Sequence, residues 1–174
     1  MGVVTEAVIK IHKKAEVENY GSVIFPDFES GFKFMREVAE KGDWPASLRF
    51  VDNLQFQFGM ALKTENESRW LDAVDKIKKF YLLKIKGFDP DKMCLCTAYF
   101  VGDKQAVKNQ EKHIYTIAKS HNGLKAGGDA GVRGYFLTFV IAYLRDFCLN
   151  FNFVAESFET CVAWDKAEVM IRKV

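Results

Sequence analysis

The chain has 174 residues, of which 49% are hydrophobic and 16 are phenylalanine, and its net charge is +2. This supplies enough apolar surface for the core of one domain, and the weak charge excludes the strongly basic surface of a nucleic-acid-binding domain. The longest apolar run, residues 136–144, is shorter than the roughly 20 residues of a membrane span. The N-terminus lacks the basic and apolar regions of a secretory signal.

The first half of the chain predicts strands and helices in alternation. Residues 3–11 alternate in polarity and are rich in β-branched residues, which predicts a strand. Asp27 precedes apolar residues at helical spacing that end at Gly42, so it predicts the cap of a helix. The polar residues 12–21 predict a connection. The other elements predicted here are strands at 22–25 and 46–52, one or two helical turns at 54–62, and a long helix at 69–86.

The second half predicts three helices and two strands. Asp103 predicts the cap of a helix that ends near residue 121. The glycine-rich residues 124–134 predict a loop, and residues 134–149, which are apolar all round, predict a mostly buried helix. The remaining elements are strands at 92–102 and 151–160 and a helix from Trp164. This order predicts an α+β fold, with a mainly antiparallel sheet and helices packed on one of its faces.

No motif in the chain predicts a metal site or a nucleophile. His113 and His121 are eight residues apart, whereas zinc-binding pairs on a helix are usually four apart. Cys94 and Cys96 point to the same side of their strand, which core packing explains. All four cysteines, Cys148 and Cys161 included, are predicted to be free, buried thiols in a reducing compartment. The glycine-rich loop also lacks the spacing of a phosphate or dinucleotide loop.

Arg145 stands out because it lies near the end of the most apolar predicted helix. Its guanidinium could reach solvent, pair with a carboxylate, or point into a cavity, where a buried cation would need an anion beside it. Guanidinium binds phosphate or carboxylate through two parallel hydrogen bonds. Arg49, in the middle of a predicted strand, is a weaker candidate because a solvent-facing arginine is ordinary there. The two could converge on one anionic ligand.

Several stretches together resemble the alkyldihydroxyacetonephosphate synthase family, the ether-lipid enzymes among FAD proteins of the vanillyl-alcohol-oxidase type. They include "GVVTEAVIKI", "YGSVIFPDFESG", "PASLRFVDNLQFQFG", "GGDAGVRGYFLTFVIAYLRD" and "ESFET". The resemblance covers nearly the whole chain in order. It implies that residues 1–14 are the C-terminal end of the FAD-binding domain, including its last strand, and that residues 15–174 are the cap, or substrate domain, incomplete at its C-terminus.

The resemblance also implies site residues and a reaction. Arg49 matches an arginine that the family needs for activity, and Arg145 matches one that binds the phosphate of the substrate. Gly2, Val3 and Val4 match residues that contact FAD. The implied enzyme replaces the acyl group of acyl-dihydroxyacetone phosphate by a long-chain fatty alcohol. The family's catalytic tyrosine, its three histidines and its main FAD-binding loops have no match in this chain, so these 174 residues alone are expected to be inactive.

Further expectations concern partners and location. The resemblance implies a homodimer, associated with the membrane on the lumenal side of the peroxisome, whose targeting signal is not in this chain, and no nucleic-acid partner. Two alternatives stay open at this point. One is the cap of another FAD-linked oxidase or dehydrogenase, acting on a hydroxy acid or a phenol. The other is a non-catalytic α+β module that binds a ligand.

Overall fold

The computed structural model describes residues 2–11, 13–42, 44–61, 77 and 80–174. The strands in this part of the chain are β1 (Val17–Phe25), β2 (Ser47–Val51), β3 (Cys94–Gly102) and β4 (Leu124–Lys125). The helices are α1 (Phe28–Lys41), α2 (Asn53–Ala61), α3 (Lys104–Ser120), α4 (Gly128–Leu149) and α5 (Trp164–Ile171), and a π-helical segment spans Tyr81–Ile85. None of these helices is both long and apolar enough to cross a bilayer.

The strands form one antiparallel sheet in the order β2-β3-β1-β4. Because successive side chains of a strand point to opposite faces, the register sorts the strand residues into two sets. Val23 of β1 pairs with Cys96 of β3, and Phe50 of β2 joins them on what we call the core face. Tyr20 of β1 pairs directly with Tyr99 of β3 on the opposite face, which we call the tyrosine face.

Helices α1 and α3 cover the core face. Their buried side chains pack against those of β1 and β3, and Phe25 and Phe34 meet with their ring centroids 5.0 Å apart. Each large apolar side chain buried here contributes roughly 1.5–3 kcal/mol relative to an exposed one. The helix members of this cluster are Phe34, Val38, Val107, Ile114, Ile117 and Ala118.

The predicted caps of α1 and α3 are confirmed. Asp27 accepts a hydrogen bond from the backbone N–H of Ser30 at 2.8 Å, and Asp103 accepts from the N–H of Gln105 and of Ala106. Both carboxylates thus satisfy N–H groups that have no partner inside the first helical turn. Gly42 ends α1 in the left-handed conformation, at φ 72°, which a residue without a Cβ adopts readily.

Helix α4 crosses the tyrosine face. A Cβ added to Gly131 would lie 2.5 Å from the carbonyl oxygen of Gly21 in β1, and one added to Gly134 would lie 2.6 Å from Cγ2 of Thr97 in β3. Tyr135 then meets Arg49 of β2. The helix therefore passes over β1, then β3, then β2, which is an edge strand.

The predicted fold class, α+β with a mainly antiparallel sheet, is confirmed. The expectation that helices pack on one face holds for α1 and α3, whereas α4 lies on the other. The predicted loop at 124–134 is wrong, since it contains β4 and the first turns of α4. The glycines of this segment suggested a turn, but in the structure they let α4 pack closely against the backbone of the sheet.

Two predicted strands are not present. Residues 2–11 and residues 151–160 have no regular secondary structure. The apolar side chains of the first segment do alternate, but its backbone forms no strand ladder within the described residues, and Val3 and Val4 are 90% and 84% exposed. An alternating pattern shows which side chains a strand would bury. The strand forms only if an adjacent strand supplies partners for its backbone hydrogen bonds.

Two further predictions are wrong in part, and a third lies mostly outside the described residues. The predicted connection at 12–21 supplies the first half of β1, which starts at Val17. The predicted helix at 69–86 lies mostly outside the described residues. The prediction of a mostly buried helix at 134–149 is wrong, because several large apolar side chains of α4 from Phe136 onward are exposed. These are Phe136, Phe139, Ile141, Tyr143, Phe147 and Leu149.

Candidate functional site

The candidate site is a cluster of three tyrosines and one arginine on the tyrosine face. Tyr20 and Tyr99 are direct cross-strand neighbours, and their rings stack with centroids 4.6 Å apart. Tyr135 of α4 covers both, at 5.6 Å from Tyr20 and 5.4 Å from Tyr99. The guanidinium carbon of Arg49 lies 5.3 Å from the centroid of the Tyr135 ring. The sheet register and the close approach of α4 thus build a platform for one cation.

The aromatic rings of the cluster favour a positively charged guanidinium held beside them. A guanidinium above an aromatic face is attracted by the electrons of the ring, and arginine stays charged at any physiological pH. Arg49 is exposed, so an anion can reach it. The Tyr99 hydroxyl donates a 2.8 Å hydrogen bond to Glu18, which raises the pKa of that phenol and keeps it protonated.

Arg145 lies on α4 but away from the tyrosine cluster. Its side chain is 45% exposed, and its Nη2 atom is 3.4 Å from Oε1 of Glu156. It is the tenth residue after Tyr135, which is about 15 Å further along the helix axis. The structure therefore gives the two arginines different neighbours: Tyr135 for Arg49 and Glu156 for Arg145. The exposed pair with Glu156 is weak, so an anionic ligand could replace that carboxylate.

Gly2, Val3 and Val4, the predicted FAD contacts, lie in the exposed N-terminal segment. A Cβ added to Gly2 would meet no atom within 4 Å, and the two valines are almost fully exposed. A flavin needs walls on both sides of its ring system, and these residues form no enclosed cradle. The segment could supply only one edge of a flavin site.

A cavity of about 440 Å³ lies apart from the predicted site residues. Asp27 and Asp52 line it, but both carboxylates already accept hydrogen bonds at the start of a helix, from the N–H of Ser30 and of Gln55. The same described part of the chain has no group of three or more His, Cys, Asp or Glu side chains suited to a metal ion. These two carboxylates are therefore accounted for by helix capping.

The sequence predicted Arg49 but not the tyrosines around it. Tyr20 lies in a stretch predicted as a connection, and Tyr135 follows a stretch predicted as a loop. The missing signal was the register: once Tyr20 and Tyr99 are paired, both must share a face with Arg49. Pairing partners are distant in sequence, so spacing along the chain could not identify the cluster.

Comparisons with known proteins agree on one group of enzymes. The family described as FAD linked oxidases, C-terminal domain, matches residues 14–174. Alkyldihydroxyacetonephosphate synthase of Caenorhabditis elegans is 44% identical over 174 residues, which are 100% of this chain and 29% of the relative. The synthase of Trypanosoma brucei brucei is 30% identical over 166 residues, covering 95% of this chain and 27% of its own length.

Solved structures support the fold. An alkyldihydroxyacetonephosphate synthase in crystal form P1 superposes with a TM-score of 0.75 at 22% identity, covering 93% of this chain and 30% of its own. The form in P212121 gives a TM-score of 0.76 at 22% identity, covering 93% of this chain and 29% of its own. The chain thus spans less than a third of the length of the proteins it resembles.

Proposed function

The chain belongs to the family of FAD linked oxidase C-terminal domains, and we propose that it is the cap part of an alkyldihydroxyacetonephosphate synthase. The complete enzyme would replace the acyl group of acyl-dihydroxyacetone phosphate by a long-chain fatty alcohol and so form the ether bond of ether lipids. The observation that carries the proposal is the 44% identity with one such synthase over all 174 residues. Identity at this level over the whole chain is stronger support than a shared fold alone.

Arg145 is assigned to the phosphate of the substrate in this proposal. Its exposed guanidinium and its weak 3.4 Å contact with Glu156 support the assignment, because a dianionic phosphate attracts a guanidinium more strongly than one carboxylate does. Arg49 is assigned a role in catalysis. Its charge is fixed on the tyrosine face, where it could stabilise negative charge that develops on the reacting substrate.

FAD is the cofactor of this proposal, and because the exchange of an acyl group for an alkyl group has no net redox change, it would take part without a net gain or loss of electrons. Gly2, Val3 and Val4 would contact one edge of it. Their exposure is compatible with this role, since a glycine with open space around it allows close approach of a large planar group. All other walls of the flavin site would come from outside these 174 residues.

The lipid chains of both substrates account for exposed apolar side chains on α4. Phe136, Phe139, Ile141 and Phe147 are each more than half exposed, and apolar surface of this extent usually marks a contact with another molecule or domain. The proposal also includes a homodimer and peripheral membrane association on the lumenal side of the peroxisome. These last features rest on the resemblance to the family.

The test uses the longer protein that contains this chain. It should incorporate labelled fatty alcohol into an ether product when given acyl-dihydroxyacetone phosphate, and that substrate should raise its thermal unfolding midpoint. Arg145→Ala should abolish the shift. Arg172→Ala is the matched control, because Arg172 is also an exposed arginine, directly after α5, and is paired with a glutamate. Oxidation of lactate or a phenol with no alcohol exchange would instead indicate another FAD-linked oxidase.

A further inference from the structure

We propose that Tyr135 is a positioning residue that holds the guanidinium of Arg49 in place on the tyrosine face. The inference deepens the proposed function and rests on it, because it explains how one of the two site arginines acquires a defined position. Arg49 needs such support because it projects from β2, a five-residue edge strand, and its side chain is exposed. Arginine has several rotatable bonds, and fixing them costs rotamer entropy.

The contact geometry supports this role. The guanidinium carbon of Arg49 is 5.3 Å from the Tyr135 centroid, inside the roughly 6 Å range of cation–π attraction. Arg49 has other interactions as well, and the ring adds a flat surface against which the planar guanidinium can lie. Tyr135 is therefore suited to select one orientation of a group that already carries the charge.

The ring of Tyr135 is itself held from several sides. Tyr20 and Tyr99 lie beneath it, and Phe139, one turn further along α4, meets it edge-on with centroids 5.9 Å apart. A ring enclosed by three others has little freedom to turn away from the cation. Because the sheet tyrosines restrict the ring of Tyr135, that ring in turn restricts the guanidinium of Arg49.

The backbone of Tyr135 is fixed by the glycines that precede it. Gly134 touches the side chain of Thr97, and Gly131 touches the backbone of Gly21. Thr97 is the cross-strand partner of Arg49 in the sheet register. Thr97 of β3 is therefore next to both Arg49 and the glycine that precedes Tyr135, so the separation of Tyr135 and Arg49 does not depend on a flexible loop.

The kinetic test uses the longer protein and three substitutions. Tyr135→Leu should lower kcat about tenfold with KM changed by less than about twofold, because a displaced catalytic group slows the chemical step more than it weakens binding. Tyr135→Phe keeps the ring and should retain most of the activity. Tyr81→Leu is the matched control, since Tyr81 also lies beneath a cation, Lys86, and should leave kcat unchanged.

A double substitution tests whether Tyr135 acts through Arg49. In an Arg49→Lys background, which keeps the charge but removes the planar guanidinium, Tyr135→Leu should lower kcat by less than about twofold. An equal loss in both backgrounds would overturn the proposal, as would a Tyr135→Phe variant as slow as Tyr135→Leu. Either result would mean that Tyr135 affects activity in some other way.

Thermal unfolding separates this proposal from the proposed function. The midpoint should fall less in the double variant Arg49→Ala/Tyr135→Leu than the sum of the two single losses, because the contact can be lost only once. Such coupling in a protein without exchange activity would leave the positioning contact intact and reject the synthase assignment. Strictly additive losses in an active synthase would reject the positioning role alone.

Discussion

The backbones of Gly131 in α4 and Gly21 in β1 are in direct contact. A Cβ on Gly131 would be 2.5 Å from the carbonyl oxygen of Gly21 and 2.9 Å from its nitrogen. These distances are shorter than any carbon atom can tolerate, and the atoms it would meet are backbone atoms that no rotamer change can move. Glycine at position 131 therefore sets how closely α4 lies on the tyrosine face.

Replacing this glycine should destabilise the fold. Alanine normally favours a helix over glycine by about 1 kcal/mol, but at position 131 it must lift α4 off the sheet, so we expect Gly131→Ala to lose about 1–3 kcal/mol in urea unfolding. Gly134→Ala should cost less, since its closest contact is one side-chain methyl of Thr97 and not the backbone of a strand. Gly102→Ala is the control because its nearest contact is an ordinary 3.7 Å. Equal stability of all three variants would contradict this view of the helix–sheet contact.

The pair Arg145–Glu156 should matter little for stability. Both side chains are largely exposed, at 45% and 74%, and their closest atoms are 3.4 Å apart. Exposed pairs contribute about 0–1 kcal/mol, so Arg145→Ala and Glu156→Ala should each shift the free energy of unfolding by less than about 1 kcal/mol. A larger loss for Arg145→Ala would point to a structural role and weaken its assignment to substrate phosphate. Urea unfolding of both single variants gives the answer.

Acid should remove a contribution of Glu37 to stability. Hydrogen bonds with Lys41 and then His121 hold the pKa of the Glu37 carboxyl below its ordinary value of 4.5. Because folding favours the ionised form, this contribution is fully present above about pH 4.5 and is lost as the pH falls through the folded-state pKa. Glu37→Gln should flatten the stability profile below pH 4.5, as measured by thermal unfolding across pH.

Glu40→Gln is the matched control for this effect. Glu40 lies on the same helix and pairs with Arg36 one turn away, with more than half of its side chain exposed. Its substitution should leave the acid limb of the profile in place. A profile as steep in Glu37→Gln as in the unmodified protein would show that other carboxylates govern the acid response.

The four cysteines should differ widely in reactivity. Burial raises the pKa of the Cys94 thiol to about 11 and that of Cys96 further still, and only the thiolate reacts with alkylating agents. Cys161 is exposed, so iodoacetamide at pH 8 should modify it first. In urea all four should react at similar rates, as followed by peptide mass spectrometry. Cys96 modified as quickly as Cys161 in the native protein would contradict the buried position of β3.

These thiol environments only partly match the sequence-based expectation. All four cysteines are free, as predicted, but burial holds for Cys94 and Cys96, whereas Cys148 is half-buried and Cys161 is exposed. The two buried ones lie on the core face of β3, where alternation along one strand was a sufficient guide. Cys148 lies on α4, where apolar composition suggested a buried helix but neighbouring elements cover only part of it, and Cys161 lies in the irregular segment after α4.

The amino-acid sequence by itself determined the features that depend on neighbours along the chain. Asp27, Gly42 and Asp103 mark helix ends because a cap acts within about one turn, and the apolar stripes of α1 and α3 follow from helical spacing alone. Tertiary structure decided the rest. It gave residues 3–11 no strand partner among the described residues, began α4 within the predicted loop, and placed Tyr135 beside Arg49. Each of these depends on a pairing or a close approach between distant segments, whose free energy is gained only when the sheet has formed.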